Sequence, residues 1–148
     1  MDLQGIRVLV AERSPLKQSL AKKALLRLGC DVRVASSGSS ALKCWDSTEF
    51  DLVLMDCQMP EAELIETTRQ IRRSSVAGAM VPIIALTASE SESERDQALL
   101  AGVSDFLPKP LHPKSLEAAL HRVLFNARRH AGQYAATAAS GLRAASNQ

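Results

Sequence analysis

A carboxylate, Asp56, stands at the end of a short apolar run in the stretch FDLVLMDCQMP. Leu52–Met55 is uninterrupted by polar residues, which is typical of a strand buried on both faces of a parallel sheet. A turn-forming segment that includes Pro60 follows directly. Ligands of open parallel sheets bind beyond the carboxyl ends of the strands. Asp56 therefore occupies a position at which such a fold does its chemistry, although an aspartate there can also simply cap a loop.

Three further polar side chains follow other candidate strands. Glu12 comes shortly after the run IRVLV, Thr87 follows PIIAL, and Lys109 follows the last apolar run. Because the carboxyl ends of parallel strands share one edge of the sheet, we expect these side chains to converge on Asp56. Convergence from four separate strands favours a chemical role for Asp56 over simple capping.

Strands and helices alternate along the chain. Apolar and β-branched runs predict five strands: Ile6–Val10, Val32–Val34, Phe50–Met55, Pro82–Leu86 and Val103–Leu107. Helical spacing predicts a helix after each strand: Pro15–Leu28 with the apolar stripe Leu16, Leu20, Ala24 and Leu28, then Ala41–Trp45, Leu64–Ile71, Ser89–Leu100 and Ser115–Phe125. The segment Ser74–Met80 is interpreted as a flexible link.

This order predicts an α/β fold with a five-stranded parallel sheet and helices on both faces, a three-layer (βα)5 sandwich. Right-handed crossovers leave few topologies, and the flavodoxin-like strand order 2-1-3-4-5 is the expected one. That order places strands one and three side by side, with Glu12 and Asp56 at their ends.

Composition is that of one globular domain. The chain has 148 residues, 46% hydrophobic and 23% charged, and no run long enough for a membrane span or a signal peptide, so a cytoplasmic protein is expected. The first 125 residues carry 15 Lys and Arg against 16 Asp and Glu, which does not predict a nucleic-acid surface. Cysteines and histidines lack metal-ligand spacing, and reduced, packed thiols are expected: Cys30, Cys44 and Cys57.

Taken together, the motifs resemble the receiver domain of two-component response regulators over roughly residues 5–125. The resemblance rests on the apolar strand into Asp56 with Met59-Pro60 after it, on Thr87 after PIIAL, and on Lys109-Pro110 after Asp105-Phe106. The segment LVLMDCQMP is most similar to receivers of hybrid histidine kinases and phosphorelays. Residues 1–126 would form the receiver domain, and residues 127–148 a weakly basic Ala/Ser-rich tail, either a helix extension or disordered.

The resemblance implies that Asp56 accepts a phosphoryl group from phosphohistidine. Lys109 and Thr87 would contact phosphoryl oxygens, and Thr87 and Phe106 would form the switch that repacks the face of the fourth helix, fifth strand and fifth helix. Mg²⁺ would be the cofactor, held by the ligand set Glu12, Asp56 and the backbone carbonyl of Gln58. Such a domain is a signalling phosphoacceptor, which catalyses at most its own phosphorylation and dephosphorylation.

Two positions depart from the family pattern. Arg13 stands where the family carries a second metal-binding acid, and a cation beside Mg²⁺ would be repelled by several kcal/mol at an effective dielectric of about 20. Glu63-Leu64 replaces an expected Asp-Gly, so the loop after Asp56 is expected to differ in shape. Two interpretations stay open: a phosphorylated receiver with weak Mg²⁺ binding, or a degenerate receiver that acts through protein contacts alone.

The resemblance also implies protein partners. A histidine kinase or histidine phosphotransfer protein is expected to contact Pro15, Leu16, Pro108 and Pro110, and the switch face offers a route to a homodimer. Only about 23 residues follow Phe125, too few for a DNA-binding output domain.

Two other nucleotide- and phosphate-handling classes fit less well. An aspartyl phosphatase needs a second aspartate where Gln58 stands, and Glu12–Pro15 lacks the glycines of a flavin phosphate loop.

Overall fold

The computed structural model describes residues 2–56, 58–87, 91–108, 112–127 and 129. The strands are β1 (Arg7–Ala11), β2 (Asp31–Ala35), β3 (Leu52–Asp56), β4 (Ile83–Thr87) and β5 (Asp105–Pro108). The helices are α1 (Pro15–Arg27), α2 (Gly38–Ser47), α3 (Glu61–Ser74), α4 (Val76–Met80), α5 (Glu92–Ala101) and α6 (residues 113–127).

The five strands form one parallel sheet in the order β2-β1-β3-β4-β5, which confirms the flavodoxin-like topology. Ala11 lies opposite Met55 in the register of β1 and β3. Glu12 directly follows Ala11, and Asp56 directly follows Met55. The sheet therefore brings these two carboxylates to the same level of its carboxyl edge.

The core lies in two layers, one on each face of the sheet. Val8, Val10 and their equivalents on β3 and β4 pack with α1 and α6 on one face. Leu9, Val53 and their equivalents pack with α2, α3 and α5 on the other. All five residues of β3 are buried because both faces are covered, which explains its unbroken apolar sequence.

The expected apolar stripe of α1 is wrong in its first half. Leu16 and Leu20 are 70% and 59% exposed, and the fully buried side chains of α1 are Ala21 and Leu25. The helix begins as predicted, with Ser14 as N-cap and Pro15 in the first turn. Helical spacing fits two overlapping stripes here, and the crossing of α1 over the sheet selects the one centred on Leu25.

The segment expected as a flexible link forms the short helix α4. Ser75 caps it by accepting a hydrogen bond from the Gly78 N–H at 2.9 Å. Gly78 approaches α3 so closely that a Cβ there would lie 2.0 Å from the Ile71 carbonyl oxygen. The glycine that suggested flexibility is therefore required for close packing.

Arg72, at the C-terminal end of α3, joins the segments that precede β4 and β5. Its guanidinium donates to the carbonyl oxygens of Gly102 (2.6 and 3.0 Å), Gly78 (3.1 Å) and Val81, and to the Ser104 hydroxyl (3.2 Å). Burial lowers the pKa of this guanidinium, which still stays charged at any physiological pH. We call this group the Arg72 clasp.

The remaining differences lie at element ends. The fifth strand begins at Asp105 rather than Val103, and α5 begins at Glu92 with Ser91 as its N-cap. Helix α6 continues to residue 127, and most of the predicted tail lies outside the described residues. Among the helices that the structure describes, we find none with the length and apolarity needed to cross a membrane.

Candidate functional site

The site is built on two buried carboxylates at the ends of adjacent strands. Asp56 ends β3 and is 1% exposed, and Glu12 follows β1 and is 4% exposed. Each accepts a hydrogen bond from the backbone N–H two residues further on: Gln58 donates to Asp56 Oδ1 at 3.0 Å, and Ser14 to Glu12 Oε1 at 3.1 Å. These bonds orient both carboxylates in the tight turns that leave the sheet.

Both carboxylates line one cleft of about 240 Å³. The other lining residues come from the same two turns: Arg13, Ser14, Gln58 and Met59. Two carboxylates in a cleft of this size form an oxygen-rich site, in which Arg13 is the one cationic residue among the lining residues described. Such a site suits a hard divalent cation, which prefers oxygen ligands.

The donor set fits Mg²⁺ in part. Mg²⁺ is commonly held by one or two carboxylates and keeps several waters, and Glu12 and Asp56 supply those two. Within the part of the chain that the structure describes, no three His, Cys, Asp or Glu side chains group together as metal ligands. Arg13 follows Glu12 directly, at the position where the resemblance implies a further metal-binding acid.

Arg13 turns toward α3. Its side chain is 54% exposed, and Nη2 forms an ion pair with Glu63 Oε2. The other oxygen of Glu63, Oε1, accepts the Gly38 N–H at 2.8 Å, in the first turn of α2. The two departures from the family pattern, at positions 13 and 63, thus contact each other, and no local pattern predicts this pairing because fifty residues separate them.

Glu63 and Leu64 lie in the first turn of α3. Leu64 is 4% exposed and packs in the core, and within the described residues only glycines have positive φ. A helical first turn needs no glycine, so Leu64 is accommodated without strain, and the chain passes from Asp56 to α3 in four residues, 57–60.

Thr87 and Phe106 lie together in a second place, between α3 and α5. They help to line a cavity of about 140 Å³ whose apolar wall is formed by Met59, Leu64, Ile65 and Ala98. The Arg95 guanidinium lies 4.9 Å from the centre of the Phe106 ring, on the side of α5. Thr87 pairs with Pro108 in the sheet, so the end of β4 lies beside the end of β5.

Lys109 and Pro110 lie outside the described residues, so their predicted roles stay predictions. Pro108 ends β5 and is exposed. Pro15 and Leu16 are exposed at the start of α1, where Lys17 Nζ also donates to the side chain of Gln58 in the turn after Asp56. The exposed Leu20, one turn along α1, is a surface residue that the predicted stripe had placed in the core.

Comparison with known proteins identifies the family. The family model for the response regulator receiver domain matches residues 8–121. Hybrid signal transduction histidine kinase I of Dictyostelium discoideum is 36% identical over 116 residues, which are 74% of this chain and 7% of that kinase. The chain spans less than half the length of the curated relatives compared, from 4% to 47%.

Two solved structures bear on the site. The receiver domain of sensor histidine kinase PA1611 from Pseudomonas aeruginosa PAO1 has a magnesium ion in its active site cleft. It is 34% identical with a TM-score of 0.73, over 81% of this chain and 98% of that one. The co-crystal structure of the Saccharomyces cerevisiae histidine phosphotransfer protein Ypd1 with the receiver domain of Ssk1 matches at 31% identity and a TM-score of 0.67, over 78% of this chain and 86% of that one.

Proposed function

The chain belongs to the response regulator receiver domains of two-component and phosphorelay systems, and from that membership we propose that Asp56 accepts a phosphoryl group. The donor is the phosphohistidine of a histidine kinase or of a histidine phosphotransfer protein. One observation carries the proposal: the buried carboxylates of Asp56 and Glu12 share one cleft at the carboxyl edge of the sheet.

In the proposed reaction a carboxylate oxygen of Asp56 attacks the phosphorus atom. The P–N bond of phosphohistidine breaks, its electron pair leaves with the imidazole nitrogen, and Asp56 becomes an acyl phosphate. Positioning and neutralisation of charge are the main requirements of phosphoryl transfer. The Gln58 N–H positions the carboxylate, and we assign Thr87 and Lys109 to the phosphoryl oxygens.

Mg²⁺ is part of the proposal. Glu12, Asp56 and the backbone carbonyl of Gln58 would hold it in the cleft. Bound there, Mg²⁺ would supply positive charge that offsets the negative charge of the transferred phosphoryl group. The departure at Arg13 leaves two carboxylates for this task, so we expect binding to be weaker than in a site with three.

The test is phosphorylation by a small donor. Purified protein is incubated with acetyl phosphate over a series of Mg²⁺ concentrations, and the intact mass is measured. We expect a gain of one phosphoryl group that Asp56→Asn abolishes and that chelation of Mg²⁺ prevents. Asp46→Asn, on the exposed surface of α2, is the matched control and should be phosphorylated like the wild type.

An unchanged mass at every Mg²⁺ concentration would overturn the proposal and favour the degenerate receiver, for which the comparisons give no support. The domain would then act only by protein contact.

We place the partner contact on the start of α1, beside the cleft. Leu16 and Leu20 lie one turn apart and are largely exposed, and Lys17 reaches from the same turn to Gln58. An apolar pair rimmed by charge is typical of a docking surface. Pro15 and the Pro108–Pro110 segment are expected at its border.

This contact predicts a split between donors. Leu16→Ala combined with Leu20→Ala should slow transfer from a phosphorylated histidine phosphotransfer protein about tenfold or more, because apolar anchors dominate such interfaces. Phosphorylation by acetyl phosphate should change little. Leu26→Ala, exposed at the far end of the same helix, is the control. If the double variant and Leu26→Ala accept the phosphoryl group from the phosphotransfer protein at equal rates, the start of α1 is not part of the interface.

Two further parts of the proposal follow from the family. The switch face is α5, β5 and α6, where Leu99, Leu100 and Phe125 are exposed, and it would serve a homodimer. The domain acts in the cytoplasm with its kinase and catalyses at most its own phosphorylation and dephosphorylation.

A further inference from the structure

Arg13 is close enough to the carboxylate pair to compete with a divalent cation. It follows Glu12 directly in the chain and lines the same cleft as Asp56. A guanidinium on a flexible stem can turn toward any carboxylate within reach. If it turned into the cleft, its single positive charge would offset one of the two negative charges of Glu12 and Asp56. It would also occupy space that a hydrated cation needs.

Glu63 binds the Arg13 guanidinium on the side of the cleft that faces α3. Its Oε2 forms the ion pair with Arg13, and its Oε1 accepts the Gly38 N–H. Glu63 also lies in the first turn of α3, where the helix dipole favours a negative charge.

The position of Glu63 is itself fixed by close packing of α2 on α3. A Cβ at Gly38 would lie 2.3 Å from Thr67 Oγ1 and 3.0 Å from Glu63 Cγ. Gly38 is buried, and Glu63 is 24% exposed in its side chain. The carboxylate of Glu63 is therefore held by contacts with α2, whereas the Arg13 side chain is 54% exposed.

We propose that Glu63 is a positioning residue that keeps the Arg13 guanidinium turned away from the carboxylates of Glu12 and Asp56, and so sets the affinity of their cleft for Mg²⁺. The inference rests on the proposed function, because it concerns the same cleft. It also accounts for the joint occurrence of Arg13 and Glu63: the acid at position 63 compensates for the cation at position 13.

The test is a double-mutant cycle read by calorimetric titration with Mg²⁺. Glu63→Gln preserves an acceptor for the Gly38 N–H and removes only the charge. We expect it to weaken Mg²⁺ binding about three- to fivefold, the upper part of the range for a partly exposed ion pair. In an Arg13→Gln background the same change should have little further effect, because Glu63 acts through Arg13.

Two measurements separate this role from a structural one. Glu61→Gln removes the same charge from the same helical turn and should alter Mg²⁺ affinity less than about twofold, because exposed charges are screened. At saturating Mg²⁺, Glu63→Gln should be phosphorylated by acetyl phosphate at the wild-type rate. Thermal unfolding checks that each variant is folded.

The outcomes distinguish the two claims. If Glu63→Gln and Glu61→Gln have equal effects, or if Glu63→Gln weakens Mg²⁺ binding equally with and without Arg13, the positioning role is overturned and the proposed function stands. A wild-type protein that neither binds Mg²⁺ nor takes a phosphoryl group would overturn both.

Discussion

Two arginines at opposite edges of the sheet are held in contrasting ways, and α3 contacts both. Arg13, at the carboxyl edge, meets Glu63 in the first turn of α3, whereas Arg72, in the last turn, forms the clasp at the amino edge. Arg72 donates to three carbonyl oxygens and a hydroxyl, and Arg13 has one exposed carboxylate partner among the bonds described.

The two arginines differ in which groups would lose a hydrogen-bond or ion-pair partner if the arginine were removed. Backbone carbonyls that lose a buried donor cost about 1–3 kcal/mol each, whereas an exposed ion pair contributes about 0–1 kcal/mol. The Arg72 clasp is therefore a structural device. Arg13 can change partners at little cost in stability.

The largest effect is expected from breaking the clasp. Arg72→Ala should lower the free energy of unfolding by about 3 kcal/mol, because the carbonyls of Gly78, Val81 and Gly102 lose their donor. Chemical denaturation followed by Trp45 fluorescence measures this. Arg73→Ala, exposed on the same helix, should stay within about 0.5 kcal/mol of the wild type. Similar values for both variants would refute the clasp.

A second variant tests the carboxyl edge through metal affinity. Arg13→Asp removes the cation and adds an oxygen ligand, and should strengthen Mg²⁺ binding at least about tenfold, equivalent to about 1.4 kcal/mol. Calorimetric titration measures the change, and Arg33→Asp on β2 controls for the shift in net charge. Unchanged affinity would mean that position 13 has no influence on the cleft.

The smallest effect contrasts the two arginines directly. Arg13→Gln should change the free energy of unfolding by less than about 1 kcal/mol, because the ion pair with Glu63 is exposed. Added salt should reduce even this difference. A loss comparable to that of Arg72→Ala would show that Arg13 is as structural as the clasp.

The strand order and the meeting of Glu12 with Asp56 could be predicted because they follow from local patterns. Buried parallel strands are short apolar runs, helices carry apolar stripes, and right-handed crossovers restrict the ways in which these elements connect. Once the order is set, the polar residues that follow β1 and β3 must meet at one edge. The sequence alone therefore predicts that Glu12 and Asp56 lie together.

Other features depend on contacts between distant segments. The choice between two stripes on α1 depends on how the helix crosses the sheet, and α4 forms where Gly78 packs against Ile71. The sequence shows Arg13 and Glu63-Leu64 as two separate departures from the family pattern. Only the tertiary structure brings them together, because an ion pair across fifty residues has no local signature in the chain.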